Sequence, residues 1–254
     1  MGLLVQFLLR LTFGLALGMA ITSPRQVSSG YYRNHLYVTL GLGALASLLS
    51  RTVAPPTFWV CAAAAVVSYV GSVCWLYEQS KAGRAALVCV MALALIGAEQ
   101  TLNLLQPENL DVNHYAVKLR YLAVVSSGLL LGMTMAAMLL GHWYLNSPTM
   151  ELAPLRRLII AMACAVALQL VVSLLGLWGE TASVGTPGSR WWLFLVVRWT
   201  FGIIGVGTLA WMAWQTLRIP NTQSATGILY VAVIGTFVGE TMSLLLSTES
   251  MFPL

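Results

Sequence analysis

Residues 191–217 read WWLFLVVRWTFGIIGVGTLAWMAWQTL, an apolar stretch of bilayer-crossing length with one charge, Arg198, inside it. A transmembrane helix needs about 20 such residues, so this stretch reads as a span. It sets the fold class as an all-α, polytopic integral membrane bundle. The pentapeptide Arg-x-Thr-Phe-Gly within it, formed by Arg198, Thr200, Phe201 and Gly202, recurs near the other end of the chain as Arg10, Thr12, Phe13 and Gly14. An arginine at the centre of a spanning helix costs about 2.5–3.5 kcal/mol on insertion scales, so each copy predicts a buried partner.

Working outward from these two runs, eight spans can be drawn in one domain covering 1–254. They lie near 3–21, 36–51, 56–77, 83–105, 119–145, 154–178, 191–217 and 224–248. The weakest boundary is Val53-Ala54-Pro55-Pro56; a re-entrant hairpin there would reduce the count to seven or six. Proline cannot continue a helix interior. Asn146-Ser147-Pro148 and Ile219-Pro220-Asn221 therefore mark the ends of the fifth and seventh spans, and Thr222-Gln223-Ser224 reads as the N-cap region of the eighth.

Composition agrees. The 254 residues are 59% hydrophobic and only 8% charged, against about 25% charged in a soluble domain. The mean hydropathy is +0.82. The lipid bilayer is therefore the first partner. The net charge of +5 is spread over short loops, which reads as topology signal and excludes a nucleic-acid surface. The odd loops hold seven basic residues (Arg25, Arg33, Lys81, Arg84, Arg156, Arg157, Arg218) and the even loops four (Arg51, Lys118, Arg120, Arg190). That excess places both termini outside the cytoplasm, in what would be a bacterial inner membrane. Cys61, Cys74, Cys89 and Cys164 all sit in apolar runs without C-x-x-C spacing, and are read as small hydrophobes rather than metal ligands.

The only acidic residues placed like the two arginines are Glu99 and Glu240. Counted from the ends of their spans at about 1.5 Å per residue, Arg10, Glu99, Arg198 and Glu240 fall at one depth. They read as a charged layer that sums to zero. Thr12, Gln100, Thr101, Thr200 and Thr241 lie near the same level and can satisfy leftover donors and acceptors. Small residues beside the charges, such as Gly14, Gly18, Gly202 and Gly239, turn these faces inward. The ladder Gly128, Gly132, Ala136 predicts another close helix contact. The layer reads either as a clamp that fixes helix packing or as a site for a quinone head group, a proton or a small anion.

At the opposite boundary lies an aromatic cluster, His35, His142, Trp143 and Tyr144. His35 and His142 form the only same-side pair that could hold a single b-type haem, although such rings are ordinary at an interface. No Walker loop, H-E-x-x-H or G-x-S-x-G element occurs. Three function classes follow. The first is a membrane-anchor subunit of a larger assembly, of electron-transfer type and interacting with quinone, whose eight-span plan is shared by some quinol-oxidising anchors by architecture alone. The second is a small-solute or proton-coupled transporter using the buried charges. The third is a membrane enzyme acting on lipid or quinone, with Glu99 or Glu240 as acid/base.

Overall fold

The computed structural model describes residues 1–102, 114–147, 150–183, 188–219 and 221–254. Its rods are α1 (Gly2–Ile21), α2 (Ser29–Val53), α3 (Pro55–Leu76), α4 (Ser80–Leu102), α5 (His114–Asn146) and α6 (Ala153–Ser183). The seventh rod is continuous but built in three pieces, α7 (Ser189–Val197), a π-helical segment (Arg198–Gly205) and α8 (Val206–Thr216). The last is α9 (Thr222–Leu246). Seven of the eight rods are long and apolar enough to cross a membrane. The exception, α2, has the length but carries Arg33, Asn34 and His35 in its first turns.

The Val53–Pro56 boundary resolves into two helices packed along each other. Ala54, at φ −145° and ψ 79°, leaves the helical region, as a residue before proline tends to do. Pro55 then opens α3, where its missing N–H is harmless. Asn221 caps α9 by accepting from the Ser224 amide at 3.0 Å, one residue earlier than the expected cap region. Pro148 and Pro220, and the loop carrying Glu108 and Asp111, lie outside the described residues.

Helix α1 runs through the middle of the bundle, against α5, α4 and α2. Its glycines fit the small-residue ladder of α5. Backbone of Gly14 lies directly on that of Gly128 and Gly132, and a Cβ added to Gly18 would sit 2.6 Å from the Ala136 Cβ. Such close approach is how helices associate where no hydrophobic driving force exists between them. The outward surface is apolar: Trp59, Trp178, Ile204 and Val231 are all more than half exposed. An exposed apolar band of this kind fits acyl chains, not water.

Even spans return the chain to its starting end, so both termini share one end of the bundle, called here the terminal end. The opposite end holds the largest apolar core, including Tyr31, Tyr32, Leu36, Trp75, Met133 and Tyr144. Tyr32 stacks on Trp75 with centroids 4.0 Å apart and planes 9° apart.

After α9 the chain folds back into the terminal end. Leu254 is fully buried, as is almost all of Phe252. Arg120 donates from Nε to the Met251 carbonyl (3.0 Å) and from Nη2 to that of Ser250 (2.8 Å). The Phe252 amide donates to Glu180 Oε2 (2.9 Å), and Trp191 Nε1 to Ser250 Oγ (2.8 Å). The Ser243 hydroxyl donates to the Leu254 carbonyl (2.9 Å). Glycines at 176 and 179 leave the room this segment needs: a Cβ at Gly179 would lie 2.6 Å from the Phe252 ring.

Candidate functional site

The site begins on α1, where Gln6 and Arg10 lie one turn apart and share a face. Arg10 Nε donates to Gln6 Oε1 at 3.0 Å. The Gln6 amide in turn donates to the Ala98 carbonyl and to Thr101 Oγ1 (2.9 Å) on α4. Arg10 Nη1 reaches two further helices, donating to Ser127 Oγ on α5 (3.1 Å) and to Glu240 Oε1 on α9 (2.6 Å). Both charged side chains of this pair are about 6% exposed. Removing two charges from water costs several kcal/mol per ion unless geometry and extra hydrogen bonds compensate; three partners for the guanidinium meet that condition.

The second arginine sits opposite the same carboxylate in a different environment. Arg198 opens the π-helical segment, and π insertions recur at functional sites. The segment lies flush on α9 because Gly202 faces Gly239: a Cβ added to Gly202 would meet the Gly239 Cα at 2.6 Å. Arg198 is 3% exposed. Its Nη2 donates to Ser173 Oγ on α6 at 2.8 Å, while Nε and Nη1 have no partner among the described residues. Beside it is a cavity of about 10 Å³, lined by Ser127, Gln169, Arg198, Thr236 and Glu240 with small and apolar neighbours. That is the room of about one water molecule or one oxygen atom.

Glu99 does not join the layer. It is exposed on α4, as is Gln100 beside it. The reason lies in the neighbouring helices. Gly97 is level with the start of α3, since a Cβ there would lie 3.6 Å from Thr57 Cγ2. Glu99 therefore stands about level with the α2–α3 turn, on the face of α4 opposite Ala98 and Thr101, which meet Gln6 of α1. The expected neutral foursome becomes two arginines against one carboxylate. Among the threonines, Thr101 is buried and joins through Gln6. Thr12 is buried but bonds the Leu8 carbonyl of its own helix (2.8 Å). Thr200 and Thr241 are exposed and likewise bond their own backbones, at Val196 (2.7 Å) and Phe237 (2.8 Å).

In the aromatic cluster at the opposite end, His35 is buried, with Nδ1 bonded to the Tyr31 carbonyl. Its ring lies 6.5 Å from that of Trp143. Trp143 Nε1 donates to Ser28 Oγ at 3.1 Å, and Tyr144 bonds the Glu151 carbonyl. His142 is exposed and pairs with Tyr230 Oη at 3.2 Å. It lies four helical turns from Ser127 along α5, about 22 Å.

Gln6, Ser173 and Gln169 belong to the site but were not read from the sequence. Gln6 had a legible signal, a polar side chain four residues before an arginine in an apolar run; the two on α6 had none. Arg120, counted by sequence as a loop charge, and Glu180 are each 3% exposed and hold the folded-back segment.

The chain matches no family model, no curated protein and no solved structure. It is an integral membrane helical bundle, and its more specific role has to be argued from the site alone.

Proposed function

We propose that this chain is a membrane-anchor subunit of a larger, electron-transfer assembly in a bacterial inner membrane. In this reading Arg198 takes the carbonyl oxygen of a lipid-soluble quinone. One observation carries the proposal: a guanidinium buried to 97% keeps two nitrogens, Nε and Nη1, without an acceptor among the described residues. A buried donor left unmade costs about 1–3 kcal/mol, more when charged, and a ligand oxygen accepting from Nε and Nη1 would recover that. The adjoining cavity admits one oxygen atom, so the ring would lie outside it. Two apolar side chains of the π segment, Phe201 and Ile204, are exposed on its outward side and would flank the ring there. Both termini outside the cytoplasm would then put the site in the outer half of the bilayer.

The test is a titration of a short-chain ubiquinone or menaquinone analogue into the protein in nanodiscs, read by quenching of tryptophan emission, Trp199 being adjacent to Arg198. Saturable quenching that weakens at least tenfold in Arg198→Leu is the expected result. Quenching that is absent, or unchanged in the variant, overturns the reading. A proton-coupled transporter is the second reading, favoured by the water-sized cavity between Arg198 and Glu240; it predicts proton uptake by proteoliposomes that Glu240→Gln abolishes.

A further inference from the structure

A second chamber, of about 20 Å³, lies nearer the terminal end and is lined by Arg10, Arg120, Ser243, Ser247 and Pro253 with two apolar neighbours. We propose that it is a halide site, holding one chloride-sized anion between the two guanidinium groups. This inference does not rest on the quinone reading, which concerns the cavity at Arg198.

Two observations carry it. The first is that two buried arginines line one small chamber, with no carboxylate among its described lining residues; Glu240 holds Arg10 from outside it. The second is that each guanidinium retains a donor. Among the described residues Arg10 bonds through Nε and Nη1, leaving Nη2, and Arg120 bonds through Nε and Nη2, leaving Nη1. The two serine hydroxyls are already committed, Ser243 to the Leu254 carbonyl and Ser247 to that of Leu244. An occupant would therefore be held by the arginines, in charge-assisted bonds. The volume exceeds the roughly 10–15 Å³ that a water needs on this measure and is too small for sulfate or phosphate.

The segment Ser250–Leu254 roofs the chamber through Pro253, and Arg120 fastens that roof. Anion occupancy and docking of this segment should therefore be coupled.

The experiment is thermal unfolding of the full chain in nanodiscs at constant ionic strength, exchanging gluconate for chloride or bromide. Above the dissociation constant, Tm should rise by about 3 °C per tenfold increase in halide, and sulfate should not substitute. Arg120→Gln should lose the halide dependence. Because that variant also frees the roof, Ser247→Leu, which fills the chamber and loses only a bond to its own helix, should lose it as well. A Tm indifferent to halide, a sulfate effect equal to that of chloride, or a halide effect that survives Ser247→Leu would each overturn the proposal.

Discussion

The two copies of Arg-x-Thr-Phe-Gly use the same residues to opposite ends. In α1 the pentapeptide is regular α-helix, and Arg10 spends its donors on Gln6, Ser127 and Glu240. In the seventh rod the same letters wind as a π-helix, and among the described residues Arg198 bonds only Ser173. The glycines behave alike, Gly14 lying against Gly128 and Gly132 and Gly202 against Gly239. The close backbone contact is therefore local to the motif, whereas satisfaction of the arginine depends on what the facing helices supply. Where Gln6 one turn away, Ser127 on α5 and Glu240 on α9 supply acceptors, the arginine is a structural pin. Where α6 and α9 leave a cavity, it is an open hand.

Mutations of the Arg10 side should therefore damage the fold, and those of the Arg198 side should damage binding. The largest effect is expected for Glu240→Leu, which strands both arginines. Loss of one partner of a buried pair costs about 3–5 kcal/mol, and adding Arg10→Leu should restore most of it. Reversible unfolding in mixed micelles measures both; a double variant no better than the single would break the pairing. Gln6→Leu follows at about 1–3 kcal/mol, since it removes the acceptor of Arg10 Nε and the link to Thr101. Arg198→Leu should change stability by less than about 1 kcal/mol in either direction, because it removes orphaned donors and leaves the Arg10–Glu240 pair intact. A loss comparable to that of Glu240→Leu would mean the two arginines are equivalent. Smallest is Glu99→Gln, within about 0.5 kcal/mol as at other surface positions; a larger loss would return Glu99 to the network.

Much of this was legible because the bilayer imposes strong rules. Run length and proline punctuation gave the rods to within a few residues, apart from α2, which begins at Ser29 rather than near 36. The glycine ladder marked a close helix contact on α5, and the structure gives that contact to α1. Depth arithmetic placed Arg10, Arg198 and Glu240 at one level. It failed for Glu99 because depth is not direction: a carboxylate can share a level with three charges and sit on the wrong side of its helix. The folded-back segment was invisible for a related reason. Its partners Arg120 and Glu180 look like ordinary loop charges until the chain end is seen to return between them.

The sequence by itself determined that this is a membrane bundle, where its helices lie, which faces are small enough to touch, and that two intramembrane arginines require partners. Those properties follow from length, hydropathy and residue size, which act locally along the chain. Only the tertiary structure decided which carboxylate answers which arginine, that Arg10 finds three partners while Arg198 keeps two nitrogens without one among the described residues, and that Glu99 faces away from the network. Such outcomes depend on the rotation of each helix about its own axis, and that rotation is set by the sum of contacts with all neighbouring helices at once.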